Sequence, residues 1–241
     1  MIVEKEVARH YTHGTLERAI LDALLASGND IERLAPSDLS SVDEFHLGWR
    51  AATTALAENL SLESGMHVLD VGSGIGGPAR YFAENYGCRV TGIDITREFV
   101  TVANALTRRC GLTDVVSFCQ ASAIAIPFAS ATFDAASLIH VGMNVADKAR
   151  LFREVRRVLK SGARFGVYDV VHAAGFELPY PMPWAASPET SFLELADAHR
   201  RSLEAAGFRL DVTGAILPSG WCARRAKRSQ STRFRRSASM S

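Results

Sequence analysis

The segment HVLDVGSGIGGPARYFA, residues 67–83, combines a glycine-rich turn with an acidic residue. The glycines in Gly72-x-Gly74-x-x-Gly77 have the spacing with which nicotinamide and flavin enzymes hold a pyrophosphate at the start of a helix. Asp70 stands two residues before the first of them. A carboxylate there repels a phosphate bound to the helix N-terminus, so the turn predicts a ligand other than a dinucleotide. The structural alternative for Asp70 is a carboxylate that caps loop amides.

Asp94 supplies the second half of a nucleoside site. It lies 22 residues beyond Gly72, where an acidic residue accepts hydrogen bonds from the ribose hydroxyls of an adenosine. That distance fits NAD and S-adenosylmethionine equally. S-adenosylmethionine carries an ammonium and a sulfonium but no phosphate, so Asp70 decides between the two. The sequence therefore predicts S-adenosylmethionine as the cofactor.

Strand and helix patterns alternate around these residues. HVLDV (67–71) is a continuous apolar run that ends at glycines, as a buried parallel strand does, and CRVTGIDI (88–95) is the next strand. GGPARYFAENYG (76–87) predicts the helix between them, and DKARLFREVRRVLKSG (147–162) predicts a later one. The alternation predicts an α/β fold, a Rossmann-like open, mostly parallel sheet with helices on both faces.

The chain divides into three predicted parts. Residues 1–62, with helical patterns at 16–27 and 47–60, form an N-terminal helical lid, and residues 63–217 form the cofactor-binding domain. Residues 218–241 form a basic, flexible tail, because the last 21 residues carry seven basic residues and no acid while the first 220 have a net charge of −6. Such a tail can bind phosphates, but only one aromatic residue, Phe234, is interleaved with its basic residues. We therefore predict that the tail is a solvated terminus and that the protein has no nucleic-acid partner.

Composition and the spacing of cysteines and histidines indicate the cellular compartment and the absence of metal and membrane partners. The chain has 241 residues, 47% hydrophobic and 22% charged, and no apolar run reaches the roughly 18 residues that span a bilayer. The segment MIVEKEVARHYTHG at the start lacks the apolar core of a secretory signal. The four cysteines show no metal-ligand spacing, and His10 and His13 have no third ligand nearby. These features predict a cytoplasmic protein with reduced thiols, no bound metal and no membrane partner.

Four segments of the chain form an ordered series: VLDVGSGIGGPARYFA, VTGIDIT, IPFASATFDAA and REVRRVLKSG. In this order and at this spacing they resemble the successive motifs of class I S-adenosylmethionine-dependent methyltransferases. The resemblance covers roughly residues 45–210 and is closest to the small-molecule group that includes sarcosine/dimethylglycine, tocopherol and sterol methyltransferases. It implies a seven-stranded sheet with an antiparallel last strand, and methyl transfer to a small-molecule acceptor.

The resemblance also implies which residues contact the cofactor. The glycine turn and the second strand would hold its methionyl part, ribose and adenine edge through Asp70, Gly72, Ser73, Gly74, Asp94 and Ile95. Relatives often have Gly-Asp-Ala after the third strand, where this chain has Ala121-Ser122-Ala123. Ser122 and Ala123 would then flank the adenine, and Ser122 would accept a hydrogen bond from its amino group without a charge.

Three further residues have expected roles. His140 stands at the end of the fourth strand in place of the Gln, Asp or Glu of relatives, which makes it the candidate catalytic base or substrate contact. In the lid, Tyr11 would place its ring near the sulfonium, and Arg50 would pair with the methionyl carboxylate. Each has a structural alternative: a histidine bonded to the backbone, an aromatic packed in a helix, and a solvated charge.

Two other functions stay open at this point. An NAD(P)-dependent oxidoreductase is disfavoured by Asp70 and by the lack of a Tyr-x-x-x-Lys pair. A cofactor-binding protein with impaired catalysis is the other, because FRLDVTGAILPSG (208–220) is not followed by a convincing final strand. ELPYPMPWA (177–185) is expected to wall the acceptor site. The acceptor and the oligomeric state are not assigned.

Overall fold

A five-stranded parallel sheet forms the centre of the molecule. The computed structural model describes residues 2–173, 175 and 177–211. In this part of the chain the strand order is β3-β2-β1-β4-β5, and every neighbouring pair is parallel. The strands are β1 (His67–Val71), β2 (Arg89–Asp94), β3 (Val116–Gln120), β4 (Phe133–Ile139) and β5 (Leu159–Tyr168). The predicted α/β, Rossmann-like open sheet is confirmed.

Helices flank this sheet and precede it. They are α1 (Ile2–Tyr11), α2 (Leu16–Ala26), α3 (Trp49–Leu60), α4 (Gly77–Tyr86), α5 (Arg97–Arg109), α6 (Lys148–Val158) and α7 (Ala196–Ala205). α3 and α6 pack on β5, α4 packs on β2, and α5 packs on β3. None of the helices in the described ranges is long and apolar enough to cross a membrane.

β1 lies at the point where the strand order reverses, between β2 and β4. Val68, Leu69 and Val71 are fully buried, which is why this strand reads as a continuous apolar run. α4 begins at Gly77 with Pro78 in its first turn and is followed by Gly87 in the left-handed conformation. Its bounds match the pattern, because proline costs little in the first turn and glycine tolerates a positive φ after the last.

The C-terminal end of α6 differs from its prediction. The helical pattern extended to residue 162, whereas the helix ends at Val158 and Leu159 already pairs with Phe133 in the sheet. The register of β5 against β4 shifts between Phe133 and Ala135, and Gly162 takes a φ of +77° within the extra residues. A glycine bulge therefore replaces the last helical turn.

The predicted lid and the sheet belong to one compact unit, Met1–Arg209. The two further strands that the resemblance implies would follow residue 208, and the chain from 212 onward, including the predicted tail 218–241, lies outside the described residues. Within the unit, the lid joins the sheet layer through a buried ion pair. Arg80 of α4 is fully buried and donates to Asp43 of the lid at 2.9 Å.

Gly77, the third glycine of the turn, serves this junction. A Cβ at Gly77 would overlap the backbone oxygen of Asp43. The lid backbone therefore lies directly against the first residue of α4, and glycine is required because no side chain fits between them. Arg80 completes the junction with further hydrogen bonds to the Ile75 carbonyl oxygen at 2.8 Å and the Thr107 hydroxyl at 3.0 Å.

Candidate active site

A cavity of about 650 Å³ opens at the carboxyl ends of β1, β2 and β4, where ligands bind in open α/β sheets. It collects ten of the eleven residues that the sequence assigned to the site: Tyr11, Asp70, Gly72, Ser73, Gly74, Asp94, Ile95, Ser122, Ala123 and His140. Arg50 is not among the residues that line it. Pro183 and Trp184 of the proline-rich segment line the same cavity.

Asp70 presents an unpaired carboxylate oxygen at the end of β1. Its side chain is 2% exposed, and its Oδ1 accepts a hydrogen bond from the Ser137 hydroxyl at 2.7 Å. Its Oδ2 has no hydrogen-bond partner within the described residues. Burial raises the pKa of Asp70 to about 6. A cation at this edge of the cavity would meet the unpaired oxygen and stabilise the charged form.

The glycine turn beside Asp70 has a conformation that requires glycine. Gly72 has a φ of +71°, and a Cβ there would overlap the side chain of Val141. Gly74 has a φ of +53° with open space around its Cα. Between them, the Ser73 hydroxyl is buried and has no partner within the described residues. The turn therefore offers bare backbone and one free hydroxyl to a ligand that approaches closely.

Asp94 ties the end of β2 to this turn. One carboxylate oxygen accepts the Gly74 amide at 2.9 Å, and the other accepts the Thr96 amide at 2.8 Å. Each carboxylate oxygen retains a lone pair, since an ionised carboxylate has about four acceptor sites. Asp94 can accept ribose hydroxyls and at the same time hold the loop, so it has a structural role that the sequence did not reveal.

Ser122 and Ala123 line the cavity after β3. The Ser122 hydroxyl donates to the Glu4 carboxylate of α1 and accepts the Ile124 amide at 3.2 Å. The hydroxyl proton is thus engaged in the hydrogen bond to Glu4 of the lid, and one acceptor lone pair of the hydroxyl remains for a ligand. Ile95 lines the same region, directly after Asp94.

Tyr11 closes the cavity from the lid. Its ring packs against Phe99 of α5, with ring centroids 5.6 Å apart, and its hydroxyl donates to the Asn144 side chain at 3.0 Å. Burial raises the pKa of Tyr11 well above its usual value, and the nearby Asp94 carboxylate raises it further. The phenol therefore stays protonated and remains a hydrogen-bond donor.

Arg50, which was expected to pair with the methionyl carboxylate, contacts residues of the lid and of α4. Its guanidinium lies 2.8 Å from the Glu44 carboxylate and sits over the Tyr81 ring, with Cζ 4.7 Å from the ring centroid. Both partners hold it outside the cavity lining, because the lid folds back on itself between Glu44 and α3. Arg50 is part of the junction between the lid and α4.

His140 lies at the end of β4 with a φ of +54°. Its backbone amide donates to the Tyr168 carbonyl at 2.8 Å, and its ring stacks on the Tyr168 ring. Burial, together with a smaller effect of the nearby His46, lowers the pKa of His140 to about 4. The imidazole is therefore neutral near pH 7 and lines the cavity, and one of its two ring nitrogens can accept a hydrogen bond.

His46 is a site residue that the sequence analysis missed. Its Nε2 lies 2.6 Å from the Glu44 carboxylate, and its Nδ1 lies 3.2 Å from the Leu47 carbonyl oxygen. The His46 ring meets the His140 ring with centroids 5.9 Å apart. The spacing Glu44-x-His46 was the available signal, but such a short pair is common in loops. Only the folded lid shows that it faces the cavity.

The residues present fit S-adenosylmethionine. The unpaired Asp70 oxygen and the free Ser73 hydroxyl suit the cationic methionyl part, and Asp94 suits the ribose. Among the described residues no lysine or arginine lines the cavity, so a pyrophosphate would find carboxylates and no counter-charge. The described residues also contain no cluster of His, Cys, Asp or Glu that could hold a metal ion.

Comparison with known proteins agrees with this geometry. Residues 69–167 match the family model described as a methyltransferase domain. The chain is 37% identical over 127 residues to "Methyltransferase phqN" of Penicillium fellutanum, which covers 53% of this chain and 39% of that protein. It is 40% identical over 114 residues to "Sterol 24-C-methyltransferase ERG6B" of Gibberella zeae, which covers 47% and 30%. The matches thus span well under half the length of these relatives.

A solved structure covers more of the chain. The "[4+2]-Cyclase SpnF" is 29% identical and superimposes with a TM-score of 0.62, over 82% of this chain and 70% of that one. The activity in its name differs from that of the curated relatives, although the fold is shared. Together with the parallel sheet and the glycine turn, the match over residues 69–167 makes this part of the chain similar to the methyltransferase domains of these relatives.

Proposed function

We propose that this protein transfers a methyl group from S-adenosylmethionine to a small-molecule acceptor. The observation that carries the proposal is the unpaired, buried oxygen of Asp70 in the same cavity as Asp94 and His140. An unpaired buried carboxylate costs free energy in the ligand-free protein. A cationic ligand recovers that cost, whereas a phosphate would increase it.

S-adenosylmethionine supplies a methyl group that its positively charged sulfur activates. The chain has three tasks: to hold the two ends of the cofactor, to align the acceptor and to exclude water. Asp70 binds the ammonium, and Asp94 accepts the ribose hydroxyls while it keeps the glycine turn in place. Tyr11 covers this part of the cavity from the lid.

His140 accepts the proton that the methyl acceptor loses. A neutral imidazole accepts a hydrogen bond from the hydroxyl or amine of an acceptor and takes its proton as the methyl group arrives. Its low pKa keeps it unprotonated at neutral pH, so it is ready to accept. The role is that of a base, not of an acid.

The acceptor and the compartment are part of the proposal. The names of the curated relatives include a sterol 24-C-methyltransferase, which supports a small organic acceptor. The described cysteines, Cys88, Cys110 and Cys119, are free thiols, which supports a cytoplasmic location. We propose neither a nucleic-acid nor a membrane partner.

Calorimetry with the full-length chain tests the cofactor. S-adenosylhomocysteine should bind and NADH should not. A heat of binding with NADH but not with S-adenosylhomocysteine would contradict the methyltransferase proposal and support an oxidoreductase. Because one structural relative is titled a [4+2]-cyclase, binding is not sufficient. The second measurement is conversion of S-adenosylmethionine to S-adenosylhomocysteine across a panel of hydroxylated and unsaturated small molecules. Binding without conversion on any of them would support the cofactor-binding alternative.

A further inference from the structure

Asn144 joins three segments that are distant in the sequence. Its side-chain Oδ1 accepts the hydrogen bond from the Tyr11 hydroxyl at 3.0 Å. Its Nδ2 donates to the carbonyl oxygens of Trp184 at 2.8 Å and Thr190 at 3.4 Å. The residue itself sits in the short 3₁₀ turn that follows β4 and lines the cavity.

The orientation of the Asn144 amide is fixed by chemistry. The two backbone carbonyl oxygens can only accept hydrogen bonds, so the NH₂ group must face them. The Asn144 oxygen therefore faces Tyr11, and the tyrosine hydroxyl must donate. An aspartate would keep the bond to Tyr11 but place a carboxylate against two carbonyl oxygens. Asparagine is thus the residue type that can serve all three partners.

The segments that Asn144 joins form the cover of the cavity. α1 contributes the lining residues Val3, Glu4, Val7, His10 and Tyr11. The segment 182–192 contributes Pro183 and Trp184, and its own indole donates to the Ser191 hydroxyl at 2.9 Å. A second contact, from His10 Nε2 to the Pro183 carbonyl oxygen at 3.2 Å, joins the same two segments. The polar contacts of α1 with 182–192 thus converge on one place, with Asn144 between them.

We propose that Asn144 is a positioning residue that couples α1 to the segment 182–192, so that the two parts of the cover open and close together. α1 carries Tyr11, which packs beside Phe99, and 182–192 carries Trp184. Occupation of the cofactor site would then order the Trp184 wall through Tyr11 and Asn144. This last step rests on the proposed function, while the coupling itself does not.

Hydrogen exchange of the ligand-free full-length chain tests the coupling. Tyr11→Phe removes one hydroxyl in α1 and leaves the Asn144–Trp184 bond chemically intact. We expect exchange to rise about five-fold, the effect of one lost hydrogen bond, in both 2–11 and 182–192. Asn144→Ala should raise the exchange of both segments as well. In the double variant the exchange should not exceed that of the more strongly affected single variant. Asn85→Ala is the matched control, because Asn85 is exposed and donates only within α4, to the Tyr81 carbonyl oxygen.

An increase confined to 2–11 in Tyr11→Phe would overturn the proposal. The same measurement with S-adenosylhomocysteine distinguishes a failure of the coupling from a failure of the proposed function. In the wild type the ligand should protect both segments, and in Asn144→Ala the protection of 182–192 should fall while that of 2–11 stays, because only the His10–Pro183 contact then joins the two segments. Protection of 182–192 in Asn144→Ala that equals the wild-type protection would again overturn the coupling. If S-adenosylhomocysteine protects neither segment in the wild type, the proposed function fails, and the ligand-free comparison still decides the coupling.

Discussion

The ring of His140 stacks on the ring of Tyr168, with centroids 5.4 Å apart and planes 25° from parallel. His46 meets both rings edge-on, at 5.9 Å from His140 and 6.1 Å from Tyr168. Two rings, His46 from the lid and Tyr168 from β5, thus fix the direction of the His140 imidazole at the end of β4. A base that is held in this way loses little rotamer freedom when an acceptor arrives.

Replacement of His140 by asparagine tests its role as a base. His140→Asn suits the positive φ, which asparagine tolerates better than most residues. Methyl transfer should slow by about 10²- to 10⁴-fold, while the dissociation constant of S-adenosylhomocysteine stays unchanged. Tyr168→Phe, which keeps the stacked ring, is the control and should transfer at close to the wild-type rate. A His140→Asn enzyme of full activity would leave His140 with a structural role alone.

The pH profile provides a separate check on His140. Its pKa of about 4, lowered by burial, means that it takes up a proton only in strongly acidic solution. The loss of activity that depends on His140 should therefore appear near pH 4. A loss near pH 6.5, absent from His140→Asn, would contradict a buried neutral imidazole.

Asp70→Asn should move cofactor affinity and stability in opposite directions. At pH 7.5 the affinity for S-adenosylhomocysteine should fall about 10- to 100-fold, the effect of one charge-assisted contact. Wild-type affinity should also fall as the pH drops through about 6, where the carboxyl of Asp70 takes up its proton. The variant should show no such dependence. Titration calorimetry at pH 5 and pH 7.5 measures both effects.

The ligand-free stability of Asp70→Asn follows from the same pKa. Burial raises the pKa of Asp70 from 3.8 to about 6, so the folded state prefers the protonated carboxyl. The stability that this group contributes is full below about pH 4 and is lost as the pH rises through about 6. Asp70→Asn should therefore melt at a higher temperature than the wild type at pH 7.5. A lower melting temperature would favour a carboxylate that caps loop amides.

Asp94→Ala should weaken both the site and the fold. Loss of the ribose contacts should cost on the order of 2–4 kcal/mol of cofactor affinity. Asp94 also accepts the amides of Gly74 and Thr96, so its loss affects the fold as well. Two lost hydrogen bonds should cost about 2 kcal/mol, or roughly 4–8 °C in melting temperature. An unchanged affinity would remove Asp94 from the site.

Arg80→Ala should be the most destabilising of these changes. It leaves the Asp43 carboxylate buried without its partner, which should cost about 3–5 kcal/mol in the free energy of unfolding. Arg18→Ala is the matched control, because its pair with Asp22 is exposed on both sides and should contribute less than about 1 kcal/mol. Urea unfolding of the ligand-free proteins measures the difference. Equal effects in the two variants would contradict a structural role for the buried pair.

Local patterns were sufficient for most of the sheet and for the cofactor half of the site. The bounds of β1 follow from an apolar run that ends at Gly72, because strand burial and glycine turns are both local signals. The ion pair of Arg50 with Glu44 was not predicted, because it depends on the way the lid folds. The contacts of Asn144 join residues that are 133 and 40 positions apart, and no spacing rule reaches that far. Residues that act through tertiary hydrogen bonds were therefore the ones that the sequence missed.

The buried pair between Arg80 and Asp43 also sets a limit on how the chain can be recombined. A fragment that starts at residue 63 would lack the carboxylate that pairs with Arg80 and the backbone that packs on Gly77. Grafting the lid of another protein onto this sheet would create the same defect. The exchangeable module is therefore not the predicted lid alone. It must include the acid at 43 together with the first turn of α4. A chimera of two such proteins therefore has to exchange both parts at once.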